Sequence, residues 1–254
     1  MQVSLITCTN NSETTIKNCC NSISSQTYDN IEHIIIDKSS QDNTVSIIKN
    51  FGIKNLKIYQ QKSLGIYGAL NEGMKSSSGE IIGILHSDDE FVDEEVISII
   101  VKKFLDQNLD VLFSNIYYIK NDNSNKIIRK WKSDLNEGFQ SNNNLNEKIN
   151  NGWMPPHTSL FFKKNLLDKI GNYNENFKIS SDYDFIIRLF KENDLKIFFL
   201  DKFTVKMRIG GMSNKSVKNI LTKTLEDYRI MKKFKLNALK AILIKNLSKI
   251  KQFF

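Results

Sequence analysis

Four short apolar runs, at residues 3–8, 31–36, 56–59 and 81–85, recur along the first third of the chain, separated by polar stretches. Run 81–85 has no polar alternation, the pattern of a strand buried on both faces of a parallel sheet. The spacers carry helical signals. Over 13–25 the apolar positions Ile16, Cys19, Cys20 and Ile23 fall on one face, Ser12 or Asn11 being placed to cap the start. Val45, Ile47, Ile48 and Phe51 mark a second helix, and 67–75 a short third one. This β-α-β-α-β-α-β succession predicts a doubly wound, mostly parallel sheet.

The second half is less regular. A helix over 94–105 precedes strands at 111–120 and 126–131, joined by a hairpin loop at 121–125. The Asn-rich stretch 134–152 predicts a mobile surface loop, of the kind that serves as a lid. Pro155-Pro156 imposes an extended lead into a strand over 159–162, followed by a helix over 163–170 that ends at Gly171. A further helix opens at Ser181-Asp182-Tyr183-Asp184 and buries Phe185, Ile186, Leu189 and Phe190. One or two strands over 197–207 then run to the break at Gly210-Gly211.

Polar residues cluster just past each early strand: Thr9, then Asp37, then Asp88 with Asp89. Ligands of open α/β sheets sit beyond the carboxyl ends of the strands, so chemistry is expected there. Two adjacent carboxylates repel unless a cation intervenes, and hard oxygen ligands suit Mg²⁺ or Mn²⁺. Read alone, Asp88-Asp89 is equally a solvated turn ahead of the next helix. No GxGxxG or GxxxxGK[ST] occurs, which removes a dinucleotide fold and a P-loop.

Composition adds two points. The net charge of +8 is uneven: residues 202–254 hold 14 Lys/Arg against Glu226 and Asp227, a balance of +12, leaving −4 on the remainder. A basic tail on a mildly acidic body points to an anionic surface and not to a nucleic-acid binder. From 236 onward apolar residues at 236, 239, 243, 247, 250 and 254 form a helical stripe flanked by Lys240, Lys245, Lys249 and Lys251. That stripe predicts either an in-plane membrane helix or one packed on protein. Cys8, Cys19 and Cys20 form no disulfide or zinc pattern, and the first residues lack a signal-peptide pattern. The expectation is a cytoplasmic protein, peripheral at most to the inner face of the plasma membrane.

With these residues in view, the chain resembles the family 2 glycosyltransferases of the GT-A fold over residues 1–213. Val3-Ser4-Leu5-Ile6-Thr7-Cys8-Thr9-Asn10 looks like the family's first strand and turn, and Ile34-Ile35-Ile36-Asp37 with Asp42 like its second strand and loop. Gly65-Ile66-Tyr67-Gly68-Ala69-Leu70-Asn71-Glu72-Gly73 is similar to its G-I-Y-D-A-M-N-x-G segment. Ser87-Asp88-Asp89 is similar to its metal-binding acidic site, Pro156-His157-Thr158-Ser159-Leu160-Phe161-Phe162 to its acceptor-side strand, and Ser181-Asp182-Tyr183-Asp184 to its general-base motif. Gly210-Gly211-Met212-Ser213 resembles the closing loop. Each motif alone is weak; their shared order makes the resemblance specific. Departures are Gly68 and Ser63 where Asp is usual, and His86 where Asn is usual. They bear on donor choice and leave the fold unchanged.

The resemblance implies an α/β GT-A domain, Rossmann-like, over 1–213. Residues 1–90 would form the nucleotide-sugar half and 91–213 the acceptor half, with a basic amphipathic helical extension over 214–254. It implies a donor site of Thr7, Thr9, Asp37, Gly65, Asn71 and Asp88, with Asp37 meeting the base of a nucleotide sugar, most readily UDP-linked. It implies Asp89 as direct ligand of Mn²⁺ or Mg²⁺, with Asp88 on the ribose or on a metal-bound water. Asp182 is the implied general base of an inverting transfer, preferred over Asp184 because residues two apart on a helix face differently. Its other reading is a helix cap. His157 would contact acceptor or leaving phosphate, or be structural; Trp153 would stack on a sugar or fill the core. The implied acceptor is a glycan, polyprenyl-linked, in bacterial surface-polysaccharide (O-antigen or capsule) assembly. The rival is a non-catalytic partner protein of the same fold. A nucleotidyltransferase ranks lower, since the loop after the first strand lacks Gly and basic residues.

Overall fold

A computed structural model describes residues 1–120, 123–210, 216–238 and 241 of the chain. Strands β1 (Val3–Thr9), β2 (Ile31–Asp37), β3 (Leu56–Gln60) and β4 (Ile81–Ile84) alternate with helices α1 (Ile16–Ser24), α2 (Thr44–Asn50) and α3 (Gly65–Ser76). Then follow β5 (Glu90–Phe91), α4 (Val96–Gln107), β6 (Val111–Lys120), β7 (Asn123–Trp131), β8 (Gly138–Gln140) and α5 (Asn142–Asn150). The chain continues through β9 (Phe161–Lys163), α6 (Leu167–Ile170), α7 (Ser181–Lys191), β10 (Ile197–Arg208) and α8 (Val217–Lys233).

Among the described residues the strands form one sheet in the order β3-β2-β1-β4-β9-β6-β10-β5, with β7 on β6 and β8 on β10. β1 pairs in parallel with β2 on one side and β4 on the other, so the winding reverses between β1 and β4. That reversal opens a crevice at the carboxyl ends of the two strands. The register brings Thr9, Asp37 and Gln60 side by side at this edge. β9 runs antiparallel between β4 and β6, which restores the parallel sense to β6 and β10.

Alternate residues of the inner strands feed two cores. Ile6, Ile34, Ile82, Phe113 and Phe199 pack beneath α3, α5 and α7. Leu5, Ile35, Ile81 and Leu112 pack beneath α1 and α4. Burial on both faces is why these strands read as continuous apolar runs. The gap at Gly83 has a local cause: a Cβ there would sit 2.4 Å from the Phe161 ring of β9.

Two expectations are corrected, and one open alternative is narrowed. Residues 134–152 are not a loop, because Leu145 and Ile149 are buried one helical turn apart in α5, whose start Ser141 caps by accepting the Asn144 N–H. The lead from Pro155-Pro156 ends in a 3₁₀ turn at His157–Ser159, with the strand shifted to Phe161–Lys163. The basic tail's stripe does not begin on a free face: Leu236 is buried in the first core with Ala238 and Ala241. Positions 239, 243, 247, 250 and 254 lie outside the described residues, as do Gly211, Met212 and Ser213.

Candidate active site

The site grows from the carboxyl edge of the sheet. Asp37 ends β2 and is 6% exposed; one oxygen accepts the Ser40 N–H at 2.9 Å and the other the Ser40 hydroxyl at 2.6 Å. These bonds order the loop and leave each oxygen a free lone-pair direction. Beside it, Thr9 Oγ1 is buried without a protein partner among the described residues. The loops after β1, β2 and β4 are cross-tied: Asn11 N–H donates to Ser40 Oγ, and the hydroxyls of Ser12 and Ser87 share a bond of 3.0 Å. Thr7 sits one pleat deeper than Thr9. It is fully buried and its hydroxyl donates to the Leu85 carbonyl at 2.7 Å while bonding His33, so it fastens β1 to its neighbours and is not open to a ligand.

Asp88 and Asp89 follow β4. Asp89 is 2% exposed; Oδ1 accepts the Arg208 backbone N–H at 3.3 Å, and Oδ2 is buried with no partner among the described residues. Burial, and then the Asp88 charge, pushes the Asp89 carboxyl well above the usual carboxylate range. An orphaned buried oxygen beside a half-buried second carboxylate is a donor set that a hard divalent cation fits. No group of three His, Cys, Asp or Glu gathers for a metal among the described residues. Mg²⁺ and Mn²⁺ sites commonly use one or two carboxylates, with water and substrate phosphate supplying the rest.

On the opposite wall, Asp182 lies in the first turn of α7. Its Oδ1 accepts the Tyr183 N–H at 2.8 Å and the Tyr67 hydroxyl at 3.3 Å; Oδ2 has no protein partner among the described residues. Asp184, two residues on, is wholly buried and locked between Arg188 and Lys233, each at 2.8 Å. Asp184 is thus an internal ion-pair centre, and Asp182 is the carboxylate that faces the crevice.

Two histidines stand between these walls, a pairing the sequence reading did not anticipate. The rings of His86 and His157 are 6.0 Å apart, and His157 Nε2 bonds the Tyr173 hydroxyl at 2.6 Å. Burial holds His86 below its ordinary value despite the nearby charges of Asp88 and Asp182. Burial likewise pushes His157 down to about 4, against the pull of Asp182. Burial thus favours the neutral form of both rings. The sequence did hold a signal: two of its three histidines adjoin acidic or proline motifs.

Supporting contacts explain other candidates. Asn71 donates to the Tyr173 carbonyl at 3.0 Å and accepts the Tyr173 N–H at 2.9 Å, so its amide positions Tyr173. Gly65 starts α3 at φ +73, a backbone state that favours glycine. Trp153 packs its ring on Phe113 and Phe190, as a core residue does, with its buried indole N–H lacking a protein partner among the described residues. Ser63 and Gly68, two departures from the family pattern, are neighbours: a Cβ on Gly68 would lie 2.5 Å from Ser63 Oγ. Sequence reading also missed Glu226 of α8. It is buried, and it accepts the consecutive backbone N–H groups of Lys178, Ile179 and Ser180 at 2.8–2.9 Å. Tyr67 holds the Ile179 carbonyl from the other side at 2.6 Å. The approach to Asp182 is thereby gripped at both ends.

Comparison with known proteins places this geometry. A family model described as "Glycosyl transferase family 2" matches residues 4–171. A Mycobacterium tuberculosis "PGL/p-HBAD biosynthesis glycosyltransferase" is 24% identical over 213 residues, covering 82% of this chain and 77% of that protein. The Streptococcus pneumoniae "Glycosyltransferase GlyA" is 29% identical over 109 residues, covering 42% of this chain, and the match spans only 16% of that longer protein. Among solved structures, Staphylococcus aureus TarS 1–349 in complex with UDP-GlcNAc superposes with a TM-score of 0.71 at 22% identity, over 91% of this chain and 67% of that one. The mannosyltransferase PcManGT from Pyrobaculum calidifontis, with GDP-Man and Mn²⁺, gives 0.63 at 15% identity, over 91% and 63%. The last two establish likeness of fold.

Proposed function

The chain belongs to glycosyl transferase family 2, and from that premise we propose that it moves a hexose from a UDP-linked sugar to a lipid-linked glycan in bacterial surface-polysaccharide (O-antigen or capsule) assembly. One observation carries the reading. The ring of His86, two residues before Asp88, is 6.0 Å from that of His157, and His157 bonds Tyr173, whose ring is 5.6 Å from that of Tyr67, the partner of Asp182; the acidic pair and the base candidate are thereby linked across one crevice. Support for the donor class comes from similar folds solved with UDP-GlcNAc and with GDP-Man.

Residues 1–90 serve the donor and 91–213 the acceptor. The free lone pairs of Asp37 and the unengaged Thr9 hydroxyl meet the nucleoside; Gly65 lets the backbone approach the donor. Asp89 Oδ2, with Asp88, would hold Mn²⁺ or Mg²⁺, which would supply positive charge against the departing diphosphate. Asp182 Oδ2 takes the proton of the acceptor hydroxyl as that oxygen attacks the anomeric carbon, while Tyr67 and the Tyr183 N–H fix the other oxygen. A single base acting this way inverts the anomeric configuration. Neutral His157 and His86 line the path between the two carboxylate sites without adding charge, and His157 faces the acceptor. Work on a lipid-linked acceptor sets the protein at the inner face of the plasma membrane.

The test is thermal. UDP with Mn²⁺ should raise the melting temperature together, by about 2.7 kcal/mol of stabilisation at a hundredfold excess over Kd. Asp89→Ala should remove the metal-dependent part. A non-catalytic partner protein of this fold would show no joint shift and no donor turnover.

A further inference from the structure

We propose that α8 docks the protein in the plane of an anionic membrane surface, through the face bearing Val217, Ile220, Leu221 and Leu225. This inference deepens the lipid-side reading above and gives it a surface.

The helix has two unlike sides. One carries Glu226, Asp227, Ile230 and Met231, all buried against the body. The other carries Val217, Ile220, Leu221 and Leu225, which are 74%, 49%, 60% and 58% exposed. Spacings of three, four and eight residues bring these four onto one stripe. Isolated surface leucines are ordinary, but four large apolar residues on one face within nine positions form a patch. Charge then selects the partner. Both acids of the helix face inward, Glu226 on the 178–180 backbone and Asp227 beside Lys223. The exposed side adds Lys218, Arg229 and Lys232 and carries no carboxylate. An apolar stripe with a purely cationic flank is the signature of a helix lying in the headgroup layer of anionic lipid. Among the described residues no helix is long and apolar enough to cross a membrane.

Placement gives the contact a purpose. Through Glu226, α8 is fastened to the segment that leads into Asp182. A bilayer seated on the outer face of α8 would therefore lie at the rim of the base-bearing wall. An acceptor held on a membrane lipid would reach the crevice there.

The experiment is co-sedimentation of the full chain with vesicles of phosphatidylglycerol mixed into phosphatidylcholine, and with vesicles of phosphatidylcholine alone. The native chain should partition onto the mixed vesicles and scarcely onto the neutral ones. Leu221→Asp with Leu225→Asp, at exposed positions, should keep the native melting temperature and UDP binding while weakening partition at least ~10-fold. Lys218→Glu with Lys232→Glu should weaken it by about fivefold or more per charge. Equal partition onto both vesicle types, absence of binding by the native chain, or unchanged binding by the leucine variant would each overturn the proposal. So would a leucine variant that breaks an oligomer, seen by its mass in solution, yet binds vesicles as before, since the stripe would then cover a second copy. None of these readouts depends on sugar transfer, so failure of the catalytic reading leaves the result interpretable.

Discussion

Truncating Glu226 should both soften the fold and misplace Asp182, the proposed base, in amounts that follow from the structure. Its Oε1 serves the Lys178 N–H, and its Oε2 serves those of Ile179 and Ser180. In Glu226→Ala the buried Ser180 N–H loses its acceptor, which costs about 1–3 kcal/mol. The Lys178 and Ile179 N–H groups lie nearer to solvent and regain water, so each costs only about 0.5–1.5 kcal/mol. The sum is about 2–6 kcal/mol, or about 4–24 °C in melting temperature for a chain of this size. Glu226→Gln separates the contributions. A Gln carbonyl at the Oε2 position keeps Ile179 and Ser180, and only the exposed Lys178 N–H faces an amide nitrogen. The loss should be about 1 kcal/mol. Function should follow the same order: UDP with Mn²⁺ binds normally because Asp37 and Asp89 are on the other wall, while transfer falls by up to about 10²-fold as Asp182 drifts. Differential scanning calorimetry, UDP titration and a transfer assay read the three quantities. An alanine variant that melts like the native chain, or one whose transfer falls only as far as its UDP binding, refutes the reasoning.

Asp182→Asn should retain nucleotide binding and lose at least ~10²-fold in transfer; near-normal transfer would remove it as the base. Unfolded histidine titrates near 6.5 whereas buried His157 is pushed down to about 4, so the unfolded chain binds the extra proton between those values and stability falls as pH drops through that window. Urea titrations should accordingly show the acid limb of His157→Gln flattened by about 1.4 kcal/mol per pH unit between pH 4 and 6.5, and an unchanged slope would deny the buried neutral ring. Gly68→Ala gains about 1 kcal/mol of helix propensity and meets Ser63, whose overpacking costs about 1–3 kcal/mol, so a net loss is expected that Ser63→Gly restores. Equal melting of Gly68→Ala with and without Ser63→Gly would show that the two sites are independent.

The β1–β4 half was legible because β1, β2 and β4 are buried on both faces and each helix has one apolar side, signals carried by neighbouring residues. The polar residues just past the early strands likewise marked Asp37, Asp88 and Asp89 at the carboxyl edge of the sheet, while Asp182 stands on the opposite wall at the start of α7. Legibility failed where pairing is non-local. α5 was hidden by its asparagines, since only Leu145 and Ile149 mark its inner face. Thr7 and Thr9 share a strand face in sequence, and only the depth of the crevice tells which hydroxyl is covered. Asn71 looks like a ligand contact in its motif, yet its partner is the backbone of a residue 102 positions away. Glu226 reads as one acid in a basic helix, and its three N–H partners lie 46–48 residues upstream.

What joins the two walls is the short strand β9. Its pairing of Ile82 with Phe162 sets the 3₁₀ turn at His157–Ser159 beside the end of β4. His157 therefore meets His86 across 71 residues of chain, and Gly83 is required there because the Phe161 ring fills the space a side chain would take. A parallel strand in that place would have carried the turn to the opposite edge of the sheet, away from Asp88. The antiparallel insertion thus brings the His157 turn to the same edge of the sheet as the acidic pair. Its sequence mark is slight: an apolar pair, Phe161-Phe162, after a proline pair. The acidic pair is visible in the sequence as two adjacent residues, but the placement of His157 beside it is decided by three residues of backbone pairing.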